Sequence, residues 1–567
     1  MDAPAPALRP PLPTSRGLLL ASLVGLAATV LLSGWASGLA GSTETRYAEI
    51  AREMLARGDF VVPTLNGAPH LEKPPFAYWA LMASYAVLGV GDVAARVPGL
   101  LAAAATLAAV AAAARRLAPA GADARATGRG AAVVLATMPA YVFLARTVST
   151  DVWLVACTTV AGAGVAVSAA TDGRPGLRWT LAMHAALGVG MLVKGPAVLL
   201  TPIVGAVAAA VAARRVRVLR PLVHPVGLLV SLATAASWYV AGDARLPGLL
   251  DLYLTRRVTG GVLSGEHHDN PWWVVWGPVL LGSAPWVGAL FGAVPTLRRR
   301  GGLAPLAAMA LAAPVFFTLV PSRLPTYGLP SLPWVALMVT LGAPRDDADG
   351  ERGDRAWRTH LRRATEATAA VAALGAVVLL VVRATEGRWP AAVATAALVA
   401  VALVGAALAV AARRRAAPEG ARLAAAAALA VVAAGAVALA VVPEAVGGHR
   451  RLVERALSLR SAGEELGVAV HKDGDWALLP FYAASEARFF GYGERLALRP
   501  PSEDAPGNFV ELDALGPWFR APQRRWLMLR TVVKDPRRDP WRRLGDGPVV
   551  VVTRDDLYTV VTNRPLE

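Results

Sequence analysis

Apolar residues in this 567-residue chain come in long, uninterrupted runs, beginning with Gly17–Ala40 and recurring as far as 421–442. A helix needs about 20 such residues to cross the ~30 Å hydrocarbon core of a bilayer, and a backbone in lipid must satisfy its polar groups within itself. Only 17% of the residues are charged while 55% are hydrophobic, whereas a water-soluble domain carries about 25% charge. The runs are neither alternating nor short and amphipathic, which argues against a string of soluble domains. The fold class is therefore mainly α: a polytopic membrane helix bundle.

The formal net charge of +17 resembles a nucleic-acid signal until its distribution is considered. The bases sit in short clusters between apolar runs, as in Arg214–Arg220 (RRVRVLR) and Arg298–Arg300, which is a signature of topology. No nucleic-acid partner is expected. The single cysteine, Cys157, lies within an apolar run, so no intramolecular disulfide is available and a small buried role suits it. The Pro-rich N-terminus precedes an apolar run longer than a signal-peptide core, which reads as an uncleaved first helix with a cytoplasmic N-terminus.

About fourteen apolar segments are candidates for spanning. Five basic connections, at 115–129, 214–220, 298–300, 344–365 and 413–422, satisfy the positive-inside rule together only if one segment before Arg115 does not cross. Phe76–Gly91 is that segment, because 16 helical residues reach only ~24 Å. The expectation is about thirteen transmembrane helices, with residues 41–95 forming a large first outer loop that contains amphipathic surface helices. The same parity places 147–151, the Lys194 turn, 242–271 and 321–325 on the outer side. From Pro443 the composition turns polar with short β-rich runs, which reads as a small C-terminal α/β domain on the outer face. The expected domains are thus 1–442 in the membrane and 443–567 outside it.

The first outer loop opens on GSTETRYAEIAREMLARGDF, Gly41–Phe60. Glu44, Arg46, Tyr47, Glu49, Arg52 and Glu53 form a polar side, and Ala48, Ile50, Ala51, Met54 and Leu55 an apolar one, as in a helix lying at the membrane surface. The next segment places His70, Glu72 and Lys73 just before Pro74–Pro75, which stop any helix. Lysine suits a phosphate, and Glu with His suits a divalent ion. Asp151 opens an apolar run, where the helix dipole alone would favour an acid. Lys194 sits in the tight turn VKGP; Arg256, Arg257, Glu266, His267 and His268 fill one loop; SRLPTYGLP supplies Arg323 and Tyr327. Each has an ordinary surface explanation taken singly, but together they gather acids, bases and histidines on one predicted face. Ionisable groups at the end of a bundle mark a substrate path: cations for a lipid-linked phosphate, a carboxylate for deprotonating a hydroxyl.

The order E-x-R-Y-A-E-I-A-R-E-M, G-D-F-V-V-P-x-L-N-G-x-P-x-L-E-K-P-P, A-A-R-x-P, S-T-D, K-G-P and S-R-L-P-T-Y-x-L-P resembles the lipid A aminoarabinose transferases and their relatives among the protein O-mannosyltransferases. These are integral-membrane glycosyltransferases of the GT-C superfamily. The motifs cover the first 340 residues or so; the later helices and outer domain match only in general plan. The resemblance implies an inverting enzyme that moves a sugar from a polyprenyl phosphate to a lipid, glycan or protein acceptor on the extracytoplasmic side of the cytoplasmic (inner) membrane. The family's first loop commonly carries Asp-Glu before the Arg-Tyr, and here Thr43 and Glu44 stand there. The expectation is Glu44 as base or acceptor-binding group, with Asp151 supporting it and Arg46 and Tyr47 beside it. Lys73 matches the family's phosphate-binding lysine, and Tyr327, Arg256 or Arg257, Lys194 and Arg323 are expected around the donor phosphate. Relatives often carry Lys at the Arg323 position, a change that keeps charge and alters geometry. No cofactor is required; a divalent ion on Glu72 with His267 or His268 is the metal expectation that some relatives suggest. No nucleotide is needed, and there is no G-x-x-x-x-G-K-[ST].

A transporter or flippase for a polyprenyl-linked sugar is the competing class, but it would show paired halves with broken helices at the midplane, and the charges here cluster at one rim. A non-catalytic donor-binding relative is the second, suggested by Thr43. The sequence specifies neither the sugar nor the acceptor. The glycosyltransferase reading requires Glu44, Lys73, Asp151 and Tyr327 to converge at one outer mouth of the bundle.

Overall fold

The structure, a computed structural model, describes residues 14–39, 41–253, 270–343, 357, 359–363, 365–366, 449–469, 475–483, 487–491, 509–531, 533, 539–554 and 558–566. The apolar segments expected at 366–383, 389–412 and 421–442 lie outside these residues, except for Glu366.

The chain runs through α1 (Arg16–Ser37), α2 (Gly41–Arg57), a hairpin of β1 (Thr64–Leu65) and β2 (Ala68–Pro69), and α3 (Phe76–Leu88). Helices α4 (Asp92–Arg116), α5 (Ala124–Ala136), α6 (Pro139–Arg146), α7 (Thr150–Ala170), α8 (Leu177–Lys194), α9 (Ala197–Ala213) and α10 (Pro225–Arg245) follow. After them come α11 (Trp286–Arg299), α12 (Leu303–Leu319), a 3₁₀ segment Pro325–Ser331 and α13 (Leu332–Leu341). The C-terminal part alternates α14 (Arg450–Ser458), β3 (Glu465–Ala469), α15 (Asp475–Ala483), β4 (Arg488–Phe490), β5 (Phe509–Val510), α16 (Leu515–Phe519), β6 (Arg525–Arg530), β7 (Val550–Arg554) and β8 (Tyr558–Thr562). The fold is mainly helical.

By length and composition four of the described helices can cross a membrane: Arg16–Gly34, Asp92–Arg116, Thr150–Ala170 and Pro225–Arg245. A fifth is the pair α5 and α6, which bends by 72° at its break. The sequence suggests one continuous run at 130–147. Pro139 at the first turn of α6 has no N–H to extend α5, so the helix restarts in a new direction. The sequence also suggests one apolar run at 272–295, which opens on a 3₁₀ turn, Trp272–Val275, and is divided at Pro285, the residue before α11. Helix α3 has only 13 residues, about 20 Å of rise.

Contacts among the described residues form two units, Met1–Leu32 with Gly99–Val240 and Leu250–Ala438, and Ser33–Pro98 with Ala241–Leu249 and Leu439–Glu567. The first outer loop of the sequence reading is thus grouped with the C-terminal region.

The first unit is a helix bundle around a large apolar core that includes Tyr141, Trp286, Trp334, Leu332 and Val335. Helix α7 is mostly buried and α10 mostly exposed, so α7 runs through the bundle while α10 offers Leu229, Leu232 and Val240 outward. Small residues let the inner helices close up. A side chain on Gly162 of α7 would collide with Trp334 and with Met309 of α12, and one on Gly205 of α9 would strike the same Met309 at 2.4 Å. Two of the polar aromatic groups inside are paired: Trp286 Nε1 donates to Thr137 (2.9 Å) and Tyr141 to the Ala103 carbonyl (2.6 Å).

The second unit holds a six-stranded sheet of order β5-β4-β3-β6-β8-β7. Strands β5, β4, β3 and β6 are parallel, while β8 and then β7 add antiparallel. The run Trp526–Leu529 in β6 is buried throughout, as a central strand covered on both faces requires. Phe490, Leu515, Phe519, Leu527 and Val561 form its core. Helices α2 and α3 and the β1–β2 hairpin belong to the same unit.

Candidate functional site

In the first unit, antiparallel packing of α7 and α8 brings the start of one to the end of the other. Ser149 caps α7 by accepting from the Asp151 N–H at 3.2 Å, which leaves the Asp151 carboxylate in the first turn, where the helix dipole favours an anion. Lys194 ends α8, where the dipole favours a cation. Gly195 follows with φ +63° and ψ −147°, a conformation open essentially only to glycine, and Pro196 starts α9. The K-G-P turn therefore fixes where the lysine points. Its ammonium forms an ion pair with Asp151 and lies over the face of Tyr327, 4.8 Å from the ring centroid. Tyr327 sits in the 3₁₀ segment after α12 and packs against Phe317, ring centroids 4.4 Å apart and planes tilted by 39°.

Arg323 lies beside this cluster in sequence but turns its guanidinium to the backbone. It donates to the carbonyls of Phe317 (3.1 Å), Asn270 (3.0 Å) and Thr318 (3.4 Å), while Asn270 donates back to the Arg323 carbonyl at 2.8 Å. This arrangement clips the S-R-L-P-T-Y loop in place. Asp151, Lys194 and Tyr327 are thus brought together, and Arg323 is occupied with the loop that presents Tyr327.

In the second unit, α2 carries a series of ionic side chains. Glu44 is buried and takes Arg96 in a bidentate pair at 3.2 and 3.1 Å; the two side chains are 4% and 0% exposed. One guanidinium thus engages both oxygens of this carboxylate. Thr43 before it is exposed. Next, Glu49 and Arg52 pair through two bonds of 2.7 Å. Burial raises the Glu49 carboxyl, and the Arg52 bonds only partly offset it. Finally, Glu53 accepts the Asn66 N–H, the Thr64 hydroxyl (2.6 Å) and the Gly67 N–H (3.1 Å). Asn66 and Gly67 have φ of 58° and 80°, the left-handed pair of a type I′ hairpin turn. Glu53 therefore anchors the hairpin that leads into His70, Glu72 and Lys73.

Arg46 reaches that segment, with its guanidinium 3.5 Å from Glu72, and His70 Nε2 lies 3.7 Å from the same carboxylate oxygen. Burial by itself would raise Glu72, but Arg46, His70 and Lys73 outweigh it and hold the carboxyl well below the usual range. Lys73 sits two residues before Pro75, the residue that precedes α3. Tyr47 is buried against Tyr78, ring centroids 5.5 Å apart, with the Arg46 guanidinium 6.0 Å from its ring.

Arg256, Arg257, Glu266, His267 and His268 lie outside the described residues. Among the described residues no group of three or more His, Cys, Asp or Glu could hold a metal ion. The Glu72 carboxylate faces the Arg46 guanidinium and His70, while the other half of the metal expectation, His267 or His268, lies outside the described residues. The sequence reading puts Glu53 only on the polar side of α2, meets Arg96 only within the A-A-R-x-P motif, and gives Asp92 no role. Arg96 had a signal, a cation set four residues after Asp92 at the head of an apolar run.

A family profile described as dolichyl-phosphate-mannose-protein mannosyltransferase matches residues 72–240. The undecaprenyl phosphate-alpha-4-amino-4-deoxy-L-arabinose arabinosyl transferase of Pectobacterium carotovorum subsp. carotovorum (strain PC1) is 27% identical over 302 residues, which is 52% of this chain and 53% of that protein. A second such transferase from Sodalis glossinidius (strain morsitans) is 30% identical over 307 residues, 52% and 54% of the two chains. The chain thus spans about half the length of the curated relatives it matches. Crystal structures of ArnT from Cupriavidus metallidurans, bound to undecaprenyl phosphate and in the apo state, superpose with TM-scores of 0.79 and 0.76 at 22% identity, covering 96% of this chain and 97% of theirs. The chain is an integral membrane protein with the fold of ArnT, and it resembles the aminoarabinose transferases and the dolichyl-phosphate-mannose-protein mannosyltransferases.

Proposed function

We propose that the protein is an inverting glycosyltransferase that moves a sugar from a polyprenyl-phosphate donor to a hydroxyl of a lipid, glycan or protein acceptor. The observation that carries this reading is the Asp151–Lys194–Tyr327 cluster, a cation at a helix end held between a carboxylate and an aromatic face. In the reaction the acceptor oxygen attacks the anomeric carbon, the bond from that carbon to the phosphate oxygen breaks, and a phosphate monoester leaves on the lipid. Lys194 would take up the charge that develops on the leaving group. A phosphate gaining negative charge competes with Asp151 for that ammonium, and the freed carboxylate can accept the proton of the attacking hydroxyl.

This assigns the base role to Asp151 and makes Glu44, paired with Arg96, the support of α2. Lys73, Arg256 and Arg257 are proposed phosphate contacts on the resemblance, and Arg323 is proposed to position Tyr327. No cofactor is proposed. The finer architecture, about thirteen spans with the site and the C-terminal α/β region on the extracytoplasmic side of the inner membrane, belongs to the same proposal. It is supported by the distribution of basic connections. A transporter is disfavoured by the bidentate and capped pairing of the charges, which suits fixed positions rather than passage.

Membranes containing the full chain, supplied with radiolabelled undecaprenyl-phosphate-linked 4-amino-4-deoxyarabinose and an envelope extract, should incorporate label. Asp151→Asn and Lys194→Ala should each reduce it by about 10²-fold or more. Wild-type incorporation in both variants would overturn the catalytic assignment.

A further inference from the structure

The C-terminal region of the second unit has no role in the chemistry above, yet it ends on a single peptide group. The Leu39 N–H donates to Asp92 Oδ1 (3.1 Å) and to the Tyr482 hydroxyl (2.9 Å), and that hydroxyl donates to the same Asp92 oxygen at 2.7 Å. Arg450 donates to Asp92 Oδ2 at 3.0 Å and to Glu454 at 2.6 Å. The carbonyl of that same peptide, on Gly38, accepts from Arg96 at 2.6 Å. Both ends of one peptide plane are thus clamped, two residues before α2 begins, by side chains one turn apart on α4 and by two groups from beyond residue 439. A side chain on Gly38, which has φ +66°, would meet the Tyr482 oxygen at 2.7 Å and Arg450 Cβ at 3.1 Å, so the fit leaves no slack. Asp92 is buried, and the surroundings push the Tyr482 phenol up, burial first and the Asp92 charge second. The hydroxyl therefore stays protonated and remains a donor.

We propose that Asp92, Tyr482 and Arg450 are positioning residues through which the C-terminal sheet region fixes the entry of α2. In doing so they set the placement of Arg46, Glu44 and the Glu53-anchored loop bearing His70, Glu72 and Lys73. The proposal rests on the glycosyl-transfer reading for its kinetic consequence and on geometry alone for its structural one. A shift of about 1 Å in a substrate-positioning group costs on the order of 10²-fold in rate, and a phosphate contact such as Lys73 tightens as charge develops on the leaving group, so loss of one latch bond falls on turnover more than on donor affinity.

The test uses the purified full chain with Tyr482→Phe and Asp92→Asn, singly and together, and with Arg450→Lys and Arg450→Gln at the more exposed partner. With undecaprenyl-phosphate-linked 4-amino-4-deoxyarabinose as donor, Tyr482→Phe should lower kcat about tenfold while the donor KM stays within about twofold. The double variant should be no worse than the worse single, as expected for one shared network, and Arg450→Lys should keep more turnover than Arg450→Gln. Amide exchange across residues 38–57 should quicken in Tyr482→Phe while exchange in β6 is unchanged. Unaltered exchange across 38–57 overturns the latch. A wild-type chain that transfers nothing, with exchange across 38–57 still quickened by Tyr482→Phe, overturns 4-amino-4-deoxyarabinose as the transferred sugar and keeps the latch. A raised KM at unchanged kcat overturns the positioning role.

Discussion

Arg96 grips both carboxylate oxygens of Glu44 where neither side chain reaches solvent. Removing one partner of a buried pair leaves an uncompensated charge and costs about 3–5 kcal/mol. Arg96→Ala should accordingly lower the thermal midpoint of the detergent-solubilised protein by several degrees, and Glu44→Gln should lower it as well. A Glu44→Gln protein that melts like the wild type but transfers no sugar would return Glu44 to the chemistry.

Lys194 meets Tyr327 through the ring face, and a phenyl ring offers nearly the same face. Cation–π contacts are worth about 0.5–2 kcal/mol, roughly twofold to thirtyfold in rate at 1.4 kcal/mol per decade. Tyr327→Phe should therefore keep most of the transfer activity and Tyr327→Ala should lose about tenfold. Equal losses in the two variants would show that the hydroxyl makes the important contact.

The three donors that converge on Glu53 tie the hairpin turn to α2. Hydrogen bonds to a charged group contribute about 1.5–3 kcal/mol each, and Glu53→Ala strands two backbone N–H groups. Limited proteolysis should find the Thr64–Pro69 segment cut faster in Glu53→Ala, with Glu53→Gln intermediate. An uncut hairpin in Glu53→Ala would show that its own turn residues suffice.

Glu72 is held below the ordinary carboxylate range by Arg46, His70 and Lys73 against the opposing effect of burial. A carboxyl depressed on folding stabilises the protein fully above its unfolded pKa of about 4.3. That contribution is lost as pH falls through the lower folded value. Melting curves of wild type and Glu72→Gln should differ most near pH 6 to 7 and converge as pH drops below about 4. A gap that widens on acidification would reverse the sign and overturn the assignment.

The membrane class and the ionic character of α2 were legible because both rest on local pattern: run length in one case, residue spacing in the other. The pairing of Asp151 with Lys194 needed the antiparallel packing of α7 on α8, which no spacing along the chain reveals. Glu44 illustrates the limit from the other side. Its place before Arg-Tyr marked it as an outward acid, but Arg96, 52 positions later, decides that it faces inward to a cation. The breaks at Pro139 and near Pro285 were visible as residues, yet their effect on a span depended on whether the neighbouring apolar run continued as helix. Arg323 read as a free cation because its acceptors are backbone carbonyls, and carbonyls carry no sequence signature.

The hollows at Gly162 and Gly205 receive the same methionine, and Trp334 closes on the first of them. Four positions on four helices therefore share one volume and cannot drift independently. A lineage that gains a methyl at 162 must surrender bulk at 309 or 334, and a truncation at 309 opens space at 162 and 205 together. Substitutions in this bundle should be inherited as compensating sets, with exchange of mass between helices as the unit of change.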